Sequence, residues 1–368
     1  MTGAGLGAYV HVPFCAARCD YCAFATWTDR AHLVDDYVRA VCREIAGARA
    51  SGLLGRPATA YVGGGTPSLL GATRLAEILA AVAPAPGAEV TVECNPEDVD
   101  APLLEALHAA GVTRVSLGVQ SLVPHVLAGL GRRGVPERSL AALALVGAAG
   151  FASFSVDLIY GGPGERAEDL ERTLDLLLDA DAAPPHLSAY ALSVEPGTPL
   201  ARDPARHPDD DVLAERYERL DEVLAAAGYR WYEVSNWARP GHECRHNENY
   251  WAQGDYLGFG PAAHSHLGGR RFHNVVSLDR YLERLAAGRS PVAAEVRRSD
   301  AERELERLEL ALRTRAGVEA AALRDDPAIG HLVERRGDRV VLTRAGRLLA
   351  SEVSLRLQVP PAPRSVAI

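Results

Sequence analysis

The chain has 368 residues, 48% hydrophobic and 24% charged, with a formal net charge of -9. That length suits an α/β barrel of roughly 250 residues plus a smaller unit, and an acidic balance without a basic tract argues against a nucleic-acid partner held through many phosphates. No stretch approaches the roughly 20 apolar residues of a membrane span, and residues 1–8 lack the basic cluster and apolar run of a leader, so a cytoplasmic location with no integral membrane segment is expected.

In chain order, apolar runs at Ala8–Phe14, Ala58–Val62, Glu89–Glu93, Arg114–Val119, Ser153–Ile159 and His186–Leu192 predict six strands. Between them, Ala31–Ala50, Arg74–Ala83, Pro102–Ala110, Glu137–Ala149 and Glu165–Ala180 carry leucine and alanine at helical spacing. Strand and helix alternate, which predicts parallel strands with right-handed crossovers closing into a partial, TIM-like (β/α)6 barrel. Chemistry is then expected at the C-terminal strand ends. Beyond Leu192 come a turn-rich loop at 195–199, a long helix at Asp209–Ala227 and a short strand at Arg230–Val234. Asn236–Phe272, rich in Gly, His, Asn and aromatics, reads as loop. Asp300–Leu357 reads as two helices, two strands about a Gly337-Asp338 turn and a final helix, a small winged-helix-like module, and Pro360–Pro363 as disordered. The expected divisions are 1–235, 236–298 and 299–368.

The chain contains no lysine, which removes a Walker A loop and Schiff-base chemistry, and its single methionine is Met1. Six cysteines in a cytoplasmic protein point to metal or redox work. Three of them form Cys15-Ala-Ala-Arg-Cys19-Asp-Tyr-Cys22, directly after the first strand. Three thiolates on one loop can take three corners of a 4Fe-4S cubane and leave the fourth iron open, whereas zinc usually takes four ligands. Ala23 after Cys22 excludes a c-type heme attachment motif.

The run Tyr9-x-His11-x-Pro13-Phe14-Cys15-x3-Cys19-x-Tyr21-Cys22 resembles the radical S-adenosylmethionine (SAM) superfamily, in its coproporphyrinogen-oxidase-like family. The likeness continues at Gly63–Ser68, Glu93-Cys94-Asn95-Pro96, Gly118–Ser121 and Asp157–Gly161, each at a strand end. It implies a 4Fe-4S cluster on Cys15, Cys19 and Cys22, and SAM held by Tyr9, Gly64, Gly65, Thr66, Glu93, Gln120, Arg132, Asp157 and Ala191, with Tyr21 inside the cysteine motif. Carboxylates suit ribose hydroxyls or an amino group, an arginine suits a carboxylate, and glycines let backbone amides approach a ligand. One departure is Gly134, where the family usually has histidine.

Two branches of that family differ in function: the oxygen-independent coproporphyrinogen III oxidases and the HemW heme chaperones. Phe24 stands where the oxidases carry a fourth cysteine, the chain begins only a few residues before Tyr9, and His246-Asn247-Glu248-Asn249-Tyr250-Trp251 matches the HNxxYW signature of the chaperones. The resemblance therefore implies a heme carrier that delivers to acceptor proteins, respiratory enzymes among them, and dimerises with its cluster in place. Within the signature, His246 offers an iron ligand, Asn247 a hydrogen bond, and Tyr250 and Trp251 flat faces for a macrocycle. His242 and Cys244 are alternative ligands, and His264 and His266 are weaker candidates for the same pocket.

Overall fold

The computed structural model describes residues 5–180 and 183–359; the proline-rich tail lies outside them. Six strands, β1 (Gly7–Val12), β2 (Thr59–Gly64), β3 (Glu89–Cys94), β4 (Arg114–Gln120), β5 (Ser153–Tyr160) and β6 (His186–Ala191), pair in parallel and in chain order. Helices α1 (Val34–Ala50), α2 (Ala72–Val82), α3 (Ala101–Ala109), α4 (Pro124–Gly129), α5 (Pro136–Ala148) and α6 (Ala167–Leu178) fill the crossovers. The expected strands and helices are all present, their ends shifted by at most three residues.

The strands alternate strictly. Val10 and Val12, Val90 and Val92, Val115 and Leu117, and Val156 and Leu158 are buried in the main core. Their neighbours Tyr9, Tyr61, Glu93, Ser116, Gly118, Gln120, Asp157, Ser188 and Tyr190 line an internal cavity. Parallel strands covered on both faces normally read as continuous apolar runs. A polar second face means that this barrel encloses a ligand space instead of packed side chains.

The segment 236–272 is not the loop that its composition suggests. After α7 (Asp210–Ala226) and β7 (Arg230–Glu233), strand β8 (Asn236–Ala238) pairs with β6 and β7, and helix α8 (Arg245–Trp251) follows. Strand β9 (Tyr256–Phe259) then lies parallel to β1 on its free edge, and β10 (His264–Leu267), β11 (Arg270–Asn274) and β12 (Val292–Arg297) extend the sheet antiparallel, with α9 (Leu278–Ala286) between the last two. The sheet has the order β12-β11-β10-β9-β1-β2-β3-β4-β5-β6-β8-β7 and so runs through position 235 without a break. Strands of three to five residues rich in Gly and His carry too little periodicity to be seen in sequence; only pairing with β1 and β6 makes them strands.

The C-terminal module has its own core, built on Leu308, Leu312, Val318, Ile329, Leu332, Val340 and Val353. It comprises α10 (Asp300–Leu312), β13 (Val318–Glu319), β14 (Val333–Arg336), β15 (Arg339–Leu342), α11 (Arg344–Leu348) and α12 (Ala350–Ser354), with sheet order β13-β15-β14. The second helix expected there is absent: that stretch holds β13 and two single 3-10 turns, at 320–322 and 327–329. Asp221 of α7 receives both Arg347 Nη atoms, at 2.8 and 2.7 Å, and the Trp237 indole N–H at 2.9 Å, which ties α11 to the barrel.

Candidate cofactor site

The cavity inside the barrel has a volume of about 960 Å³. Its mouth, at the C-terminal strand ends, carries the cysteine loop, and its floor, at the strand starts, is made by residues 244–250. Cys15, Cys19 and Cys22 all line the mouth. The loop is closed by Trp27 N–H donating to Pro13 O at 2.8 Å and Cys15 N–H donating to Trp27 O at 3.1 Å. Burial pushes the Cys15 thiol up, partly offset by hydrogen bonds from Thr66 and Thr26, and burial likewise pushes Cys22 up. A cation beside either thiol would favour its thiolate. Among the described residues no three His, Cys, Asp or Glu side chains converge as a single ion requires. A cubane asks for something else, one thiolate at each of three irons, and three partly exposed thiols on one loop facing one cavity fit it.

Beside the cysteines, the glycine loop plays a different part from the one expected. The Gly64 N–H donates to Glu93 Oε2 at 3.0 Å, Gly65 N–H to Val12 O at 2.7 Å and Thr66 N–H to Phe14 O at 2.8 Å. These amides are spent inside the protein and are not presented to a ligand. A Cβ on Gly65 would sit 2.5 Å from Phe14 O and 3.0 Å from Cys15 Sγ, so glycine is needed to let this loop lie against the cysteine loop. Thr66 then reaches Cys15, its hydroxyl 3.7 Å from Sγ.

The remaining strand ends place their polar groups on the cavity wall. Glu93 accepts from Tyr61 Oη at 2.8 Å as well as from Gly64, and burial, then the neighbouring Asp157, push its carboxyl up to about 7. Asp157 accepts from Ser116 Oγ at 2.9 Å and is also raised by burial. Tyr9 meets His11 Nδ1 at 3.1 Å; because His11 Nε2 donates to Ala25 O at 3.0 Å, Nδ1 must be the acceptor, which fixes the tautomer. Gln120 takes the left-handed conformation, φ +67°, at a bulge in β4, strained backbone of the sort that clusters at functional sites. The Arg132 guanidinium donates to Asn95 Oδ1 and Gly118 O, both at 3.1 Å, and lies 3.8 Å from Cys19 Sγ. Tyr21 and Ala191 complete the wall. At Gly134, Glu97 Oε1 lies 2.5 Å from where a Cβ would stand, so a side chain there would require Glu97 to move.

The signature helix α8 is at the other end of the barrel from the cysteines. Glu89, the first residue of β3, caps it by accepting the backbone N–H groups of His246 at 2.9 Å and Arg245 at 3.0 Å. His246 is 1% exposed, its Nδ1 2.8 Å from Thr59 Oγ1 and its Nε2 2.8 Å from Tyr250 Oη, with its ring stacked on Tyr61. Burial pushes its pKa down to about 3, so the ring is neutral. Both ring nitrogens are engaged within the protein, and His246 lines the cavity floor as a neutral, hydrogen-bonded ring. Asn247 donates to Tyr232 Oη at 3.2 Å, and it lines the floor together with Tyr250 and Cys244. Trp251, His242, His264 and His266 do not line the cavity. His242 bonds Ser153 Oγ at 3.0 Å, His264 stacks on His273 across β10 and β11, and buried His266 meets Gly254 O at 3.0 Å.

Sequence reasoning missed Arg114 and His186, which also line the floor. The signal available was the polar residue that opens an otherwise apolar strand in Arg114–Val119 and His186–Leu192.

A family model described as the radical SAM superfamily matches residues 9–177. Over 96% of this chain and 95% of the relative, the sequence is 46% identical to the heme chaperone HemW of Mycobacterium tuberculosis (strain ATCC 25618 / H37Rv). It is 39% identical to that of Escherichia coli (strain K12) over 70% of this chain and 69% of the relative. Among solved structures, the coproporphyrinogen III oxidase HemN of Escherichia coli superposes with a TM-score of 0.82, covering 96% of this chain and 90% of that one, at 23% identity, a likeness of fold. With near-complete coverage of a relative at this identity, the chain belongs to the HemW family of the radical SAM superfamily, whose fold it shares.

Proposed function

We propose that this chain is a heme chaperone that holds heme alongside a 4Fe-4S cluster and SAM and passes the heme to acceptor proteins, respiratory enzymes included. The observation that carries this reading is the 46% identity to proteins named as heme chaperones across nearly the whole of both chains. In it, Cys15, Cys19 and Cys22 hold the cluster at the cavity mouth. Tyr9, Gly64, Gly65, Thr66, Glu93, Gln120, Arg132, Asp157 and Ala191 hold SAM along the cavity wall. Arg132 and Thr66 donate toward two of the three sulfurs and so stabilise thiolate. When bound, the cluster and SAM supply one-electron chemistry; the protein's contribution is to orient them and keep water out. The tyrosines at positions 61, 190 and 250 give the lower cavity flat walls for a macrocycle.

The oxidase reading rests on a 23% identical structure, which shows fold alone. In this chain Phe24, where the oxidases have their fourth cysteine, is 63% exposed at the cavity mouth. The test uses protein reconstituted anaerobically with iron and sulfide. A Soret band that co-elutes with the protein and moves to an apo-acceptor supports the carrier, and protoporphyrinogen formed from coproporphyrinogen, reductant and SAM overturns it. Gel filtration with and without cluster tests the homodimer that belongs to the same reading.

A further inference from the structure

The floor of the cavity contains a buried cation, Arg114, whose guanidinium is only partly satisfied among the described residues. Arg114, the first residue of β4, is 3% exposed, lines the cavity, and has Nε and Nη1 enclosed without an acceptor among the described residues. Other arginines with an enclosed, unpaired Nε, namely Arg216, Arg271, Arg303 and Arg347, each meet a carboxylate through another nitrogen. Arg114 has no such ion pair among the described residues. The acid nearest in kind, Glu89, is committed elsewhere: both of its oxygens cap α8, and the Cys244 thiol lies 3.5 Å from Oε1. Next to Arg114 on the floor, His186 bonds Tyr232 Oη through Nε2 at 2.9 Å and leaves Nδ1 buried without a partner. Burial, then the Arg114 charge, hold this histidine below its usual range and therefore neutral.

Each orphaned buried donor costs about 1–3 kcal/mol, and more when charged. Such a group persists where a ligand satisfies it. We propose that Arg114, assisted by His186, is a carboxylate subsite at the barrel floor that receives an acidic arm of the cargo. This rests on the heme-carrier reading, in which the cargo is a flat macrocycle bearing two propionates. The cavity divides accordingly, with thiols and the SAM-binding strand ends at the mouth, tyrosine walls between, and one fixed positive charge at the bottom. SAM has a carboxylate of its own, but the arginine expected to hold it, Arg132, is beside Cys19 at the mouth.

The test is a Soret titration of cluster-loaded protein with hemin and with hemin dimethyl ester, in which both propionates are neutral. Wild type is expected to prefer hemin by about 10-fold or more, the worth of one charge-assisted hydrogen-bonded pair. Arg114→Met is expected to bind hemin about 10-fold more weakly and the ester no worse, so that the preference collapses, while Arg114→Lys keeps most of it. Equal affinity of wild type for the two ligands overturns the subsite and leaves the carrier reading intact; binding of neither overturns both. Thermal melts of the unliganded variants add a readout that needs no heme: Arg114→Met should melt no lower than wild type. A lower melting point with an unchanged preference for hemin would make Arg114 a structural cation and overturn the subsite.

Discussion

Glu93 accepts two hydrogen bonds and still has a carboxyl pushed up to about 7 by burial and by Asp157. SAM carries a sulfonium and an ammonium, so a cation bound beside Glu93 favours the ionised form and displaces its proton. Affinity for SAM should therefore rise as pH increases from 6 to 8 and level off above, and Glu93→Gln should lose both the affinity and the slope; isothermal titration at three pH values measures this. The cysteines allow a simpler expectation: changing Cys15, Cys19 or Cys22 to alanine should abolish cluster retention in an anaerobic iron and sulfide assay, while Cys42→Ala, on α1, should not. His246→Ala should destabilise the apoprotein by roughly 2–4 kcal/mol in a denaturant titration, the loss of two buried hydrogen bonds plus a cavity. The heme spectrum of that variant should match wild type, because both ring nitrogens are engaged within the protein. The cysteine triad and the polar residues that line the cavity with it were legible as residues. What the sequence could not show was that the Gly64–Thr66 amides are already engaged, or that the signature histidine faces two hydroxyls, since both depend on partners distant in the chain.

At the scale of elements, the parallel barrel was readable because each strand is six to eight residues long and punctuated by a helix. The alternation that makes its inner face polar was equally visible, as in Val90-Thr91-Val92-Glu93, and points to an enclosed ligand space. The added strands β8 to β11 were not readable, being three to five residues long and dependent on neighbours for their hydrogen bonds. They are held to the barrel in part by Glu44 of α1, which accepts from Gly260 N–H at 2.9 Å, Asn274 Nδ2 at 2.7 Å and Tyr281 Oη at 2.6 Å. Burial pushes its carboxyl up to about 7, against roughly 4.3 for the unfolded chain. Between those values the folded state binds the extra proton, so the stability Glu44 contributes is fully present below pH 4 and falls as pH rises toward 7, by up to about 1 kcal/mol per pH unit. Denaturation midpoints at pH 5, 6 and 7 should show this decline, and Glu44→Gln should flatten it.

For the molecule as a whole, the attachment of the C-terminal module depends on Asp221. Arg347 is 7% exposed, lies 4.6 Å over Trp231 and donates to both Asp221 oxygens. Removing one partner of a buried pair costs about 3–5 kcal/mol, so Asp221→Ala should lower global stability by that order, and hydrogen exchange should locate the loosening in α7 and residues 300–357. No helix among the described residues is long and apolar enough to cross a membrane. The order of the strands also bears on how such a vessel is made. Strand β1 is fifth in the sheet order and so interior, its outer edge covered only by β9 at 256–259, and the vessel's base arrives only with residues 244–250. A nascent chain halted at residue 235 would thus be a tube open below and bare along its first strand, prone to pair with its neighbours on the polysome.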